Sequence, residues 1–583
     1  MNDPGLVVEN DVMVAMRDGV RLRADVFRPA GVEDRLPVLV LRNPYSTRDG
    51  IWAMLGQAVA QQGYAVVVQS CRGRYGSEGD FSPIHADVED GYDTVEWAAA
   101  QPWSNGAVGM YGLSYSGMAA WAAAIARPPH LVAIAPLSSM WDWSGHGAWY
   151  AAPGVLALGM TLNWSAGATV WEAERRGVDP PLPAFAEAER LSDEAGYIDR
   201  EARAKVVELQ TEATWPLFEH RPLRDLEGLR ELAPWFRDWC DHDDPQDPYW
   251  RSVSPAEHVA ELDLPILNLT GWFDCFRMGP LEAFSTMARA GMTEATRRGQ
   301  RLVVGPWNHM AGQNRPDADP GVDLFLDVSP GSPMMRFFGH HLKGEELGYD
   351  GERPVRLYVM GENHWREEDE WPLARTVWTP WFLHADGELS TTSPGAETPD
   401  SFVYDPADPV PGSIAIGSLH NDPVDLDAVG RRSDVLVYTT PPLAADLEIT
   451  GPVSVDLWAS SSVESTDLTA KLIEVFADGQ AVSLCQGVVR TGVGVTHPRT
   501  TGAAYRYEID LWATSVVVKA GHRLRLQVSS SEYPTYDLNP NTGSRITHDS
   551  GETVPATQHV FHDELHPSRL ILPVIPREGE EEP

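Results

Sequence analysis

The segment YGLSYSG, residues 111–117, sets Ser114 between glycines at 112 and 117. A short apolar run, 107–111, leads into it, and a small-residue helical pattern, 118–126, leads out. A serine on a sharp strand-to-helix turn has its hydroxyl projected out of the backbone, and glycines let neighbouring chain pass close. The spacing is G-x-S-x-x-G, with the second glycine one place later than in the common G-x-S-x-G. Taken alone, it also fits a small-residue turn at a strand–helix junction. A hydroxyl is a poor nucleophile until a positioned base takes its proton, and the base needs a carboxylate to fix its tautomer. Two later segments offer them. The run LPILNLTG (264–271) leads straight into Trp272-Phe273-Asp274, and RLVVGP (301–306) leads into Trp307-Asn308-His309. Singly, Asp274 also fits a helix N-cap, and His309 is one of 18 histidines. Together, in the order Ser, Asp, His and each just past a buried strand, Ser114, Asp274 and His309 read as a catalytic triad for acyl transfer.

Acyl transfer also needs donors for the oxyanion of the tetrahedral intermediate. The backbone N–H of the residue after the nucleophile, Tyr115, is one. The second is expected from the loop after an early strand, which reads Leu41-Arg42-Asn43-Pro44-Tyr45. It has no HGGG motif, so a side chain must serve, and the Tyr45 hydroxyl is placed for it. A tyrosine merely packed on that loop is the plainer alternative.

The elements that must position these residues follow from hydrophobic rhythm. Segments 12–16 and 20–27 flank Asp18-Gly19, a hairpin signal. Strand-like runs at 38–41, 64–69, 107–111 and 131–135 alternate with helical patterns at 51–62 and 87–101. Continuous β-branched runs separated by helices predict a parallel sheet covered on both faces. The rhythm breaks after Pro136. Tryptophans recur from Trp141 to Trp250 among charged helical stretches with no strand rhythm, which reads as a helical insertion. The α/β alternation returns at 264–269, 281–290 and 301–304. From about residue 354, short β-rich runs such as 355–359, 435–438, 453–459 and 522–528 follow one another, separated by turn signals such as Asp478-Gly479. That texture predicts an all-β sandwich or jelly roll.

Length and charge bound the rest. At 583 residues the chain exceeds one core, so several domains are expected. With 43% hydrophobic and 22% charged residues it reads as globular. A net charge of −39 argues against nucleic acid and anionic membrane as partners. The four cysteines are scattered with no C-x-x-C pair, so neither zinc nor a disulfide framework is indicated. No Sec-type signal is visible in residues 1–10, and no 18-residue apolar run occurs. A reduced, cytoplasmic protein is expected.

These motifs carry a resemblance. RNPY (42–45), GLSYSG (112–117), GWFD (271–274), GPWNH (305–309), VMGENHWREEDEWP (359–372) and NPNTG (539–543) run through almost the whole chain in order. The chain resembles the S15-like serine hydrolase family that includes bacterial cocaine esterases, X-Pro dipeptidyl-peptidases and α-amino acid ester hydrolases. The resemblance accounts for the late glycine, since the family's elbow is G-x-S-Y-x-G. It implies an α/β-hydrolase core with a helical cap insertion and a C-terminal all-β jelly-roll domain. The divisions expected are 1–139 and 251–352 for the core, 140–250 for the cap and 353–583 for the jelly roll. It maps a triad onto Ser114, Asp274 and His309 and a tyrosine oxyanion donor onto Tyr45. It further implies that Trp149, Trp164 and Phe276 line an acyl pocket, where plain core packing is the alternative, and that a homodimer forms. α-Amino acid ester hydrolases carry extra acidic residues after the triad aspartate. Here Cys275, Phe276 and Arg277 follow instead, a departure that weakens an amino-acid substrate.

The function expected is cleavage of a small-molecule carboxylic ester with an apolar or aromatic acyl group, through an acyl-enzyme on Ser114. No cofactor and no metal ion are required. An amide hydrolase, whether an acylase or an X-Pro dipeptidyl aminopeptidase, would use the same machinery. A carbohydrate- or partner-binding protein built on the jelly roll is a third reading, which the intact Ser, Asp and His pattern argues against.

Overall fold

The β-branched runs of the first half become one twisted sheet. The computed structural model describes residues 5–45, 51–145, 149–195, 200–309, 315–317, 327–346, 348–413, 424–492 and 500–576. Strands β1 (Leu6–Ala15) and β2 (Arg21–Pro29) pair antiparallel across Asp18-Gly19, where Gly19 takes a φ of 89°. Strands β3 (Leu36–Asn43), β4 (Ala65–Ser70), β5 (Ser104–Leu113) and β6 (Leu131–Leu137) follow. A small ribbon, β7 (Tyr150–Ala152) and β8 (Val155–Leu156), lies outside the sheet. The chain returns with β9 (Leu267–Phe273), β10 (Arg301–Asn308), β11 (Val355–Val359) and β12 (His364–Glu368). The order is β1-β2-β4-β3-β5-β6-β9-β10-β11-β12, and every neighbouring pair from β4 to β11 is parallel.

Both faces of this sheet are covered, which is why its central strands are apolar throughout rather than alternating. Helices α2 (His85–Ala99) and α3 (Tyr115–Ala126), with the helix Met278–Ala290, pack on one face. Helix α1 (Ile51–Ala60) and the helix Pro333–Lys343 pack on the other. Small residues set the spacing of α2 and α3: a Cβ on Gly91 would stand 2.6 Å from that of Ala123. That closeness packs the C-terminal half of α3 against α2.

Between β6 and β9 lies the helical cap, led by α4 (Leu158–Arg176), α5 (Pro183–Ala195) and α6 (Arg200–Phe218). The β7–β8 ribbon is the one departure from the expected helical insertion among the described residues. At three and two residues its strands are too short to set up a period-two pattern. The cap tryptophans Trp143, Trp149, Trp235, Trp239 and Trp250 are buried in one cluster that also takes in Tyr115 and Phe276 from the sheet's loops.

The C-terminal part is a jelly-roll-like domain with eleven strands among the described residues. The long strand Leu447–Ser461 pairs with Tyr505–Val518 on one side and with Ala556–Phe561 and Arg569–Val574 on the other. The segment 355–359, read from sequence as part of this β-rich region, instead forms β11 and is hydrogen-bonded to β10, with Leu302 opposite Val355. Hydrophobic rhythm identifies a strand but does not say which sheet edge it joins. The C-terminal domain is stitched to the rest: just past β11 the Met360 N–H donates to the Ser515 carbonyl at 3.1 Å and the Met360 carbonyl accepts the Val517 N–H at 2.8 Å, and from the cap the Gly159 N–H donates to the Pro534 carbonyl at 2.8 Å. Among the described residues no helix is long and apolar enough to cross a membrane.

Candidate active site

Ser114 sits where β5 ends and α3 begins, at φ 61° and ψ −124°. A non-glycine residue adopts this conformation only when its surroundings force it. Its N–H donates to the Leu137 carbonyl of β6 at 3.0 Å, and its carbonyl accepts from the Gly117 and Met118 N–H groups at 2.9 and 3.1 Å. The glycines make the turn possible. A Cβ on Gly112 would come 2.2 Å from the Ser116 Cβ, and one on Gly117 would come 2.8 Å from the Ser139 Cβ and 2.9 Å from the Gly112 carbonyl oxygen. The second close approach is therefore at 117 rather than 116, which explains the late glycine. Ser116 is fully buried, and its hydroxyl has no partner among the described residues. Ser114 is only partly buried.

Asp274 follows β9 and His309 follows β10, so both lie on the carboxyl-end edge where β5 delivers Ser114. Asp274 is fully buried and His309 is 6% exposed. The His309 Nδ1 is 3.2 Å from Asp274 Oδ1 and 3.1 Å from Oδ2. A ring nitrogen facing a carboxylate carries the proton and donates it, leaving Nε2 as the basic atom. Asp274 Oδ1 also accepts the Phe276 N–H at 2.7 Å, which locks the carboxylate. It does not cap the next helix, which starts at Met278 behind Arg277. The Cys275 thiol stands close by: single ligand-type atoms of Asp274, Cys275 and His309 all lie within 4.8 Å of one another. Burial, reinforced by the Asp274 charge, pushes this thiol well above its usual range. A neutral thiol beside an already paired carboxylate and imidazole is a poor metal donor set.

The two expected oxyanion donors are each anchored. The Tyr45 hydroxyl accepts the Trp164 indole N–H at 3.2 Å. Because an indole can only donate, this bond turns the tyrosine's own proton elsewhere. Tyr45 also stacks on Trp52 at 6.3 Å and meets Trp171 edge-on at 5.2 Å. Tyr115 opens α3, so its N–H is one of the amides that a helix N-terminus leaves without an intrahelical acceptor. Its side chain is pinned: the hydroxyl donates to Asp87 Oδ2 at 2.7 Å and accepts the Ile84 N–H at 2.9 Å. Asp87 is held in turn by the fully buried Arg42, at 3.0 Å from Nη1.

The three residues implied as pocket lining lie around this centre. Trp164, on α4, stacks on Tyr115 with centroids 5.9 Å apart and planes 4° from parallel. Trp149 meets Trp164 at 5.3 Å and stacks on Trp239 at 4.3 Å. The Trp149 indole N–H is buried with no partner among the described residues. Phe276 meets the His309 ring edge-on at 5.0 Å. Arg277 points away, its guanidinium over Trp512 of the C-terminal domain at 4.7 Å. Phe81, Trp171, Trp235 and Trp239 complete the aromatic box. The resemblance singled out Trp149 and Trp164, but Trp171, Trp235 and Trp239 were signalled only as members of a tryptophan-rich stretch, Arg42 only as part of RNPY, and Phe81 and Asp87 not at all.

A parallel sheet carrying a strained serine elbow, with a carboxylate–imidazole pair on its carboxyl-end edge and a β-rich domain behind it, defines an α/β-hydrolase of the serine hydrolase class. A profile described as X-Pro dipeptidyl-peptidase (S15 family) matches residues 18–311, and one described as X-Pro dipeptidyl-peptidase C-terminal non-catalytic domain matches residues 348–571. Cocaine esterase from Rhodococcus sp. (strain MB1 Bresler) is 38% identical, over 99% of this chain and 100% of its own. Two solved structures also match, each 25% identical over 98% of this chain and 97% of theirs. They are an aminopeptidase from a marine sediment Thaumarchaeota archaeon, with a TM-score of 0.77, and an α-amino acid ester hydrolase, with a TM-score of 0.76. The chain belongs to the X-Pro dipeptidyl-peptidase (S15) family and is a serine carboxylic ester hydrolase.

Proposed function

We propose that the enzyme hydrolyses carboxylic esters with an apolar or aromatic acyl group through an acyl-enzyme on Ser114. His309 Nε2 takes the Ser114 proton as Oγ attacks the ester carbonyl, then returns it to the departing alcohol. Water, deprotonated by the same nitrogen, next attacks the acyl-Ser114 ester and frees the acid. Asp274 fixes the His309 tautomer and balances the imidazolium. The Tyr45 hydroxyl and the Tyr115 N–H receive the oxyanion, and Trp149, Trp164 and Phe276 take the acyl group. The observation that carries this reading is the Asp274–His309 couple at 3.1 Å, on loops after adjacent parallel strands, at the sheet edge that holds the strained Ser114.

The pocket is a poor host for a free α-amino group. No acidic residue stands directly after Asp274, where Cys275, Phe276 and Arg277 follow, and three acids of the cap's 241–247 run are paired: Asp241 with Arg224, Asp243 with Arg545, and Asp247 with His242. An ammonium group left unpaired in an aromatic box is desolvated at a cost. A panel of p-nitrophenyl esters and amino-acyl p-nitroanilides tests this. Benzoyl and short aliphatic esters are expected to exceed α-amino acyl substrates by roughly tenfold or more in kcat/KM, with Trp164→Ala eroding the preference. Faster cleavage when a free α-amino group is present would sink the proposal in favour of an aminopeptidase.

A further inference from the structure

The sequence SCRGRYGSEG (70–79) carries two arginines with opposite fates. Arg72 is satisfied, holding Asp90 through Nε at 3.0 Å and Nη2 at 2.6 Å and Asp18 through Nη1 at 2.8 Å. Arg74 is 1% exposed, and its Nε, Nη1 and Nη2 are all buried without a hydrogen-bond partner among the described residues. The carboxylate facing it, Glu172, stands off at 3.7 Å. Glu172 is committed elsewhere, accepting from Arg175 at 2.8 and 2.6 Å and from Arg176 at 2.6 Å. Burial pulls the Arg74 pKa below its ordinary value, yet a guanidinium stays charged at any physiological pH. A buried guanidinium whose N–H groups make no hydrogen bond is expensive even with a carboxylate standing off at ion-pair distance, and such donors call for a group that completes them.

Its position says what that something is. The Arg74 guanidinium lies over the Phe81 ring at 4.4 Å and the Trp171 ring at 5.2 Å. Phe81 contacts Tyr115 at 6.0 Å and Trp164 at 6.3 Å, and Trp171 meets Tyr45 at 5.2 Å. The cation is therefore one aromatic ring away from both proposed oxyanion donors, at the edge of the proposed acyl pocket. Its five N–H groups form a planar fork whose natural complement is a carboxylate.

We infer that Arg74 receives a carboxylate at the distal end of the substrate's acyl chain, so that the preferred substrates are half-esters of dicarboxylic acids whose apolar middle lies in the aromatic box. This inference rests on the ester-hydrolase reading and narrows its substrate class. It also supplies a second reason for rejecting α-amino acyl groups, because a buried cation repels an ammonium.

The test compares p-nitrophenyl half-esters of linear dicarboxylic acids of increasing length with their methyl-capped counterparts. At one chain length the free carboxylate is expected to raise kcat/KM by roughly tenfold or more over the capped ester. Arg74→Gln and Arg74→Met are expected to abolish that ratio while the capped ester stays within about threefold of wild type, whereas a purely structural arginine would lower both substrates together. Should the variants fail to fold, wild-type protein decides: free dicarboxylates are expected to inhibit competitively at lower concentration than monocarboxylates of equal length. Capped esters preferred at every length, or a ratio unchanged in the variants, would overturn the inference and leave the ester-hydrolase reading standing. Failure to cleave either ester series would remove both.

Discussion

At the residue scale the chemistry rests on restraint. Ser114 is held in a left-handed conformation by close chain crossings at Gly112 and Gly117. Asp274 is locked between the His309 ring and the Phe276 N–H. The Tyr45 hydroxyl accepts the Trp164 indole N–H, so its own proton points elsewhere. Tyr45→Phe keeps the ring packing on Trp171 and Trp52 and deletes the donor alone. It is expected to lower kcat by about 10²–10³ with little change in KM, as for other lost oxyanion donors. A changed KM with normal kcat, measured on a p-nitrophenyl ester, would reduce Tyr45 to a pocket wall. The strand-end positions of Ser114, Asp274 and His309 were legible in the sequence because each follows an apolar run and a punctuating turn. The burial of Arg74, Arg42 and Asp87 was not. Nothing local marks a charge as buried, and the partners of Arg42 and Arg74 come from α2 and α4, far along the chain.

At the element scale, what the sequence yielded was rhythm, and what it withheld was partnership. Strands β3 to β6 and β9 to β10 stand near where their β-branched runs predict, because strands buried on both faces need continuous apolar sequence. The helices that were read stand within a few residues, as α2, read as 87–101, runs His85–Ala99, whereas the helix Pro333–Lys343 was not read at all. Edge membership was not legible. Segment 355–359 has the same texture as the β-rich region beyond it, yet it extends the parallel sheet through backbone bonds to β10. The cap shows the same limit. Its tryptophans signalled a buried aromatic cluster, but which rings face Tyr45 and Tyr115 depends on the winding of α4, which carries Trp164 and Trp171 seven residues, about two turns, apart on one face.

At the scale of the whole molecule, the C-terminal domain is part of the site's scaffold. Arg490 joins them: it pairs with Asp467 at 2.7 Å and Asp537 at 2.7 Å, both almost fully buried, and also donates to the Gly154 carbonyl beside the β7–β8 ribbon. Removing one member of such a cluster leaves charge uncompensated. Arg490→Met is expected to cost about 3–5 kcal/mol, read as a lower melting temperature in calorimetry. The pH dependence has a definite sign. Burial raises the Asp537 pKa above its unfolded value, with Arg490 opposing that rise. Without Arg490 the folded state takes up protons more readily than the unfolded one, so stability increases as pH falls. The deficit of the variant relative to wild type is therefore expected to shrink between pH 8 and pH 5; a deficit that grows over that range would show the cluster to be wrongly described.

The central claim is that Ser114 is the nucleophile of this hydrolase. Its most direct test is to treat the protein with a fluorophosphonate, digest it and locate the adduct by mass spectrometry while following ester hydrolysis. One adduct per chain on Ser114 is predicted, with activity lost in proportion to labelling. Ser114→Ala should remain unlabelled, its kcat reduced by roughly 10⁶ as in another serine hydrolase that lost its nucleophile. An adduct on the buried neighbour Ser116, or full activity in a labelled or Ser114→Ala protein, would contradict the account.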